Sequence, residues 1–271
     1  MMEKIPPQIT YIEKNDPINE RNVDIIMDSV KTDLSVILEK MRTSIDNHSY
    51  GCIFGIDGGG RIPALTLRKT LNHIYLHNHQ DKIETFFVSG SRASLPENTP
   101  GEKEFELKNL LKKEIFQKIK SRNEKILLVE DVVVSGESLK LIIKIMKELD
   151  ISYEIATLSF GDSEIINPTY KEETDIKQLE DKLGSKILCG EYGSISKLYG
   201  SKQMSGVHKK QNILFSKPIG KSFYNNQSDK EIPQDNKNLE DNMQNREILK
   251  HTRDLISKIS KELSDEYIKG Y

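Results

Sequence analysis

Ile126-Leu127-Leu128-Val129-Glu130-Asp131-Val132-Val133-Val134-Ser135-Gly136-Glu137-Ser138-Leu139 is the stretch on which the fold turns. Its apolar start, Ile126–Val129, predicts a strand buried on both faces, as the strands of a parallel sheet are. Two adjacent carboxylates, Glu130 and Asp131, follow at the carboxyl end of that strand, where open α/β sheets place their ligands. Ser135-Gly136-Glu137-Ser138 then leads into a helix predicted over Ser138–Leu149. Gly136 lets the backbone come close to an oxyanion, Ser135 and Ser138 add hydroxyl donors, and the amides at the positive end of the helix complete a phosphate site. One short segment thus offers carboxylates to a vicinal diol and amides and hydroxyls to a monophosphate. A sugar phosphate has both groups.

On either side, strands alternate with helices. Upstream lie a strand at Cys52–Ile56, a helix over Ile62–His77, a strand at Ile83–Val88 and a helix over Phe105–Ile119. Downstream come a strand at Tyr153–Phe160, a helix over Asp175–Leu183 and a short strand at Lys186–Cys189. This alternation implies βαβ units and an α/β fold, a mostly parallel sheet flanked by helices. Ahead of it, an extended segment Glu3–Pro17 precedes an amphipathic helix over Asn19–Ile45, in which Val23, Ile26, Val30, Leu34, Ile37, Leu38 and Met41 recur at helical steps. Behind it, Gly190–Ile219 has no clear periodicity, and Lys221–Asn242 is polar enough to predict a solvated or disordered linker. Ile248, Leu249, Leu255, Ile256, Ile259 and Leu263 then predict a last amphipathic helix over Arg246–Ile268. The chain divides into an N-terminal extension and helix (1–48), an α/β domain (49–190), an irregular segment (191–220), a polar linker (221–245) and a C-terminal helix (246–271). Such a tethered helix has two places to dock, a partner (a homodimer or another protein) or its own domain, and the sequence leaves both open.

A second element follows the first strand: Gly55-Ile56-Asp57-Gly58-Gly59-Gly60-Arg61-Ile62-Pro63-Ala64. Consecutive glycines let several N–H groups converge on one anion, and Arg61 adds a charge-assisted contact. A third, Phe86-Phe87-Val88-Ser89-Gly90-Ser91-Arg92, ends a strand in hydroxyls and a cation. The polar stretch Ala93–Glu104 behind it, punctuated by Pro96 and Pro100, is a candidate lid.

Taken together, an apolar strand, two acids, Val, two variable positions, Ser-Gly, one variable position and Ser resemble the signature of the type I phosphoribosyltransferases. The resemblance covers roughly Tyr50 to Phe160. It implies that Glu130 and Asp131 contact the ribose hydroxyls of 5-phosphoribosyl-1-pyrophosphate, as the catalytic positions, and hold Mg²⁺ through water. It assigns the 5′-phosphate to Ser135, Gly136, Glu137 and Ser138, and the pyrophosphate to Asp57, Gly58, Gly59, Gly60 and Arg61, joined by Arg92. The implied reaction passes the phosphoribosyl group to a nitrogen acceptor, a nucleobase, and releases pyrophosphate. Segment 191–220 is then a candidate hood over the base, with Tyr192, Tyr199 and His208 as the residues able to stack or hydrogen-bond there. Two departures keep an alternative open, a regulator that senses the ligand without transferring it, or an interaction protein built on the same fold. Val134 stands where the 6-oxopurine branch carries an Asp that handles the proton of the base. Asp57 puts a carboxylate beside a diphosphate.

Composition narrows the partners. The 271 residues are 36% hydrophobic and 30% charged, with net charge -2, which argues against nucleic acid held by bulk positive charge. No apolar run nears the ~20 residues of a membrane span. The start of the chain is polar, unlike a signal peptide. Cys52 and Cys189 form neither a disulfide framework nor a metal-ligand spacing, and Cys52 in its apolar run reads as a core residue. A cytoplasmic, reducing compartment is expected. The glycine run lacks Gly-x-Gly-x-x-Gly spacing and no Gly-Lys-Ser/Thr follows it, which argues against dinucleotide-binding and Walker-type readings.

Overall fold

Parallel strands need crossovers of a dozen or more residues, and the alternating segments supply them. In the computed structural model, which describes residues 20–56, 59–88, 100–161, 172–193, 198, 204, 213–216, 222–224 and 239–270, helix α1 (Glu20–Asp46) leads into β1 (Tyr50–Ile56), α2 (Arg61–His77) and β2 (Glu84–Val88). Helix α3 (Pro100–Leu111), a π-helical turn (Lys112–Phe116) and α4 (Gln117–Arg122) return the chain to β3 (Lys125–Val133). Then follow α5 (Lys140–Glu148), β4 (Tyr153–Phe160), α6 (Glu172–Leu183), β5 (Ile187–Tyr192), β6 (Ile213–Ser216), β7 (Ser222–Tyr224) and α7 (Leu239–Ile268).

The strands lie in the order β5-β4-β3-β1-β2-β6-β7. The first five run parallel; β6 and β7 extend the sheet antiparallel beyond β2. Successive side chains of a strand point to opposite faces, so each central strand feeds two cores. Ile53, Leu127, Val129, Ala156 and Leu158 join α1, α2 and α7 on one face. Cys52, Phe54, Ile126, Leu128 and Ile155 join α4, α5 and α6 on the other. Each fully buried Ile, Leu or Val stabilises by about 1.5–3 kcal/mol relative to exposure. Continuous burial along β1 and β3 explains why their sequences read as apolar runs rather than alternations.

Several boundaries differ from expectation, some for an evident local reason. Strand β3 runs four residues past Val129, because Glu130, Val132 and Val133 stay paired with Thr157, Ser159 and Phe160 of β4; the acids sit in the last part of the strand rather than after it. Helix α5 starts at Lys140 instead of Ser138, since Gly136 turns at φ +70° and the Ser138 hydroxyl is bonded elsewhere. Helix α3 starts at Pro100, inside the stretch read as a lid, which suits a residue whose missing N–H costs nothing in a first helical turn. The Ser222–Tyr224 strand falls in the stretch read as a linker, and α7 begins at Leu239, seven residues before Arg246. Residues 1–19 and 225–238 lie outside the described residues, so the expectations for Glu3–Pro17 and most of the linker go unaddressed.

Helix α7 docks on its own chain. Ile248, Ile256, Ile259 and Leu263 are buried in the core shared with α1 and α2. Polar contacts fix its register: Ser260 Oγ donates to the Thr66 carbonyl at 3.1 Å, Tyr267 Oη to Asp46 Oδ1 at 2.7 Å, and Lys31 Nζ to Glu262 Oε2 at 2.8 Å. Among the described residues no helix is long and apolar enough to cross a membrane.

Candidate functional site

The order of the sheet determines where a crevice can open. From β1 the chain crosses through α2 to β2 on one side; from β3 it crosses through α5 to β4 on the other. Helices α2 and α5 belong to opposite layers. The carboxyl ends of β1 and β3 therefore flank the point where the strand order reverses, the place at which doubly wound sheets bind ligands. Gly55 of β1 pairs beside Val129 of β3, so the glycine loop leaves its strand level with the acid pair.

Glu130 and Asp131 leave the strand on opposite faces and each meets a different loop. Glu130 is 7% exposed and accepts a hydrogen bond from Ser138 Oγ at 2.8 Å. Asp131 is 9% exposed and lies against Gly59, where an added Cβ would come within 2.0 Å of Asp131 Oδ1. Any larger residue at position 59 would displace the Asp131 carboxylate. Gly60 is the more tightly constrained, since a Cβ there would fall 2.3 Å from the Val129 carbonyl oxygen, a backbone atom. The two adjacent acids tie the two loops to one strand end.

Neither helix that opens at the crevice has a side-chain cap: α2 starts from Gly60 and α5 from Leu139, with no side-chain cap bond at either. Uncapped helix starts direct amide donors and a positive dipole end toward an anion. Arg61, the first residue of α2, lies 4.2 Å from the centre of the Phe87 ring of β2. Burial lowers its pKa, but a guanidinium remains charged at any physiological pH. Ser135 and Glu137 are exposed at the surface of the loop, and Glu137 pairs with Lys140. Gly136 packs under α6, where a Cβ would sit 3.1 Å from Leu183 Cδ1.

Carboxylate oxygens suit a hard cation that takes its other ligands from water and substrate phosphates, which is how Mg²⁺ is commonly held, and Glu130 and Asp131 offer them from the two faces of the strand end. Among the described residues no group of three His, Cys, Asp or Glu side chains gathers into a metal cage.

The structure brings together Glu130, Asp131, Ser135, Gly136, Glu137, Ser138, Gly59, Gly60 and Arg61. Asp57, Gly58 and Arg92 lie outside the described residues, as do residues 93–99 of the candidate lid, Tyr199 and His208. Tyr192 ends β5 at the same edge of the sheet; it is exposed, with Phe160 edge-on at 6.4 Å and Lys40 Nζ 5.1 Å over its ring. Sequence reading missed Lys182, whose Nζ approaches the Ser135 carbonyl oxygen at 3.4 Å from the far end of α6. Nothing local marks a surface lysine 47 positions away as a neighbour of the loop. Cys52 and Cys189 are both free and buried.

No protein-family model matches the chain, and no curated protein matches it. Among solved structures it is similar to a purine phosphoribosyltransferase from Pyrococcus horikoshii Ot3, with 15% identity, TM-score 0.29, and 66% of this chain and 87% of that one covered. An orotate phosphoribosyltransferase from Aeropyrum pernix is 14% identical, with TM-score 0.33, covering 64% of this chain and 72% of that one. A xanthine-guanine-hypoxanthine phosphoribosyltransferase from Helicobacter pylori is 17% identical, with TM-score 0.29, covering 59% and 79% respectively. The solved structures named here are all phosphoribosyltransferases.

Proposed function

We propose that the protein binds Mg²⁺-5-phosphoribosyl-1-pyrophosphate in the crevice between β1 and β3 and transfers the phosphoribosyl group to a nitrogen acceptor, a nucleobase. The observation that supports this most is the convergence of two glycine-bearing loops on one acid pair at the reversal of strand order, with Gly59 fitted to Asp131 and Ser138 bonded to Glu130. A ligand with phosphate at one end, pyrophosphate at the other and a diol between them matches that spacing of donors and acceptors.

In this reading, Ser135, Gly136, Glu137 and Ser138 hold the 5′-phosphate through amides and hydroxyls. Glu130 and Asp131 accept hydrogen bonds from the ribose hydroxyls and orient the ring, a positioning role. The bond from the anomeric carbon to pyrophosphate breaks with its electron pair leaving on oxygen. The acceptor nitrogen forms the new bond and gives up its proton to solvent. Amides at Gly59 and Gly60, with Arg61, stabilise the charge that grows on the leaving group. Glu130 and Asp131 would hold Mg²⁺ through water, and the ion would supply further neutralisation of that charge.

A second reading, a sensor that binds the ligand without turnover, is favoured by Val134. It is 42% exposed next to the phosphate loop, and a valine has no proton to exchange with a base. Incubation with Mg²⁺-phosphoribosyl pyrophosphate and each common nucleobase, followed by pyrophosphate release, separates the two. Release with one base supports transfer; saturable binding without release from any base supports the sensor.

A further inference from the structure

We propose that Lys182, which stands outside the motifs described above, is a binding residue for the 5′-phosphate of the ligand. The inference rests on reading the loop after β3 as part of a phosphoribosyl pyrophosphate site, and it adds to that site a cation from another element. A phosphate monoester carries about 1.5–2 negative charges at neutral pH. The loop that would receive it, Ser135–Ser138, contains Glu137, and Glu130 and Asp131 stand at its base. Lys140, at the start of α5, is drawn to Glu137. A dianion entering beside three carboxylates calls for a further positive charge.

Lys182 is placed to supply it. Its Nζ donates to the Ser135 carbonyl oxygen at 3.4 Å, and among the described residues no carboxylate pairs with it. An ammonium has three N–H donors. The bond to Ser135 holds a long side chain beside the loop, and two donors are left for phosphate oxygens. Because Lys182 is exposed, its pull on the phosphate is that of a hydrated surface charge, moderate and screened by salt.

Two observations separate this lysine from an ordinary cation at a helix end, which serves the carbonyls of its own last turn. First, carbonyls at the end of α6 have other partners. That of Glu180 accepts from the Gly184 amide at 2.7 Å and the Ser185 amide at 3.2 Å, and that of Leu183 accepts from Tyr153 Oη at 2.6 Å. The Lys182 bond crosses instead to the loop of another element. Second, α6 is fixed over that loop. Gly136 lies under Leu183 and Leu179, 3.1 and 3.5 Å from where its Cβ would be, and the Ile187 amide donates to Glu180 Oε1 at 2.7 Å, tying the helix to β5. The backbone that carries Lys182 is therefore held in register with the loop.

The test compares full-length wild type, Lys182→Gln and Lys182→Arg in calorimetric titrations with Mg²⁺-phosphoribosyl pyrophosphate. Competition by ribose 5-phosphate and by inorganic pyrophosphate then probes the two ends of the ligand separately. Lys182→Gln is expected to weaken phosphoribosyl pyrophosphate and ribose 5-phosphate about fivefold at low salt and to leave pyrophosphate unchanged, while Lys182→Arg, which keeps the charge, restores most of the affinity. Equal affinity of wild type and Lys182→Gln for phosphoribosyl pyrophosphate, an equal loss for pyrophosphate, or an equal loss in Lys182→Arg would each overturn the role of Lys182 and leave the proposed function standing. No binding of phosphoribosyl pyrophosphate by folded wild-type protein would overturn both.

Discussion

Gly59 and Asp131 compete for one volume, and that competition gives the site its sharpest test at the level of single residues. A methyl group at position 59 would sit 2.0 Å from the Asp131 carboxylate, so one of the two must move. Gly59→Ala is expected to cut affinity for phosphoribosyl pyrophosphate at least tenfold and to cost about 1–3 kcal/mol of stability, as overpacking does; calorimetry and urea unfolding read the two effects separately. Ser138→Ala removes the donor to Glu130 at 2.8 Å and leaves a buried carboxylate short of a bond, at about 1–3 kcal/mol in urea unfolding. The cysteines give a third test. Burial raises the Cys189 pKa to about 12 and that of Cys52 well above its ordinary value. Since only the thiolate reacts, both should resist thiol reagents at pH 8 until the protein unfolds; fast labelling of native protein would contradict their placement. At this scale the acids, the hydroxyls and the glycines were legible because each residue type has few reasons to stand where it does. Lys182 was not, because its place beside Ser135 depends on how α6 packs.

Among the elements, the parallel strands were the most legible, since burial on both faces leaves an unbroken apolar run. Their ends were less so. The pairing that carries β3 through Glu130 to Val133 comes from β4, and no property of the acids themselves announces it. Strands β6 and β7 were missed for a similar reason: β6 takes its shape from β2 and the short edge strand β7 from β6, not from a strong pattern of their own. The last helix was legible as amphipathic, but its docking was not, because an apolar face does not name its partner. The structure places that face on α1 and α2. Ile259, 3% exposed in that core, supplies the test. Ile259→Ala should cost about 2–5 kcal/mol by equilibrium urea unfolding, whereas a loss near zero would mean that α7 is not part of the folded core.

For the molecule as a whole, the proposal rests on one topological fact: strand order reverses between β1 and β3, and both candidate loops emerge there. The acids of β3, the glycines after β1 and the uncapped starts of α2 and α5 are separate features of the sequence that the sheet brings to one crevice. The most direct measurement is calorimetric titration of phosphoribosyl pyrophosphate with Mg²⁺ into wild-type protein and into Asp131→Asn. Saturable, Mg²⁺-dependent binding is expected for wild type, weakened at least tenfold in a variant that unfolds at an unchanged urea midpoint. Absence of binding by folded wild-type protein, or equal affinity in the variant, would contradict the assignment of this crevice.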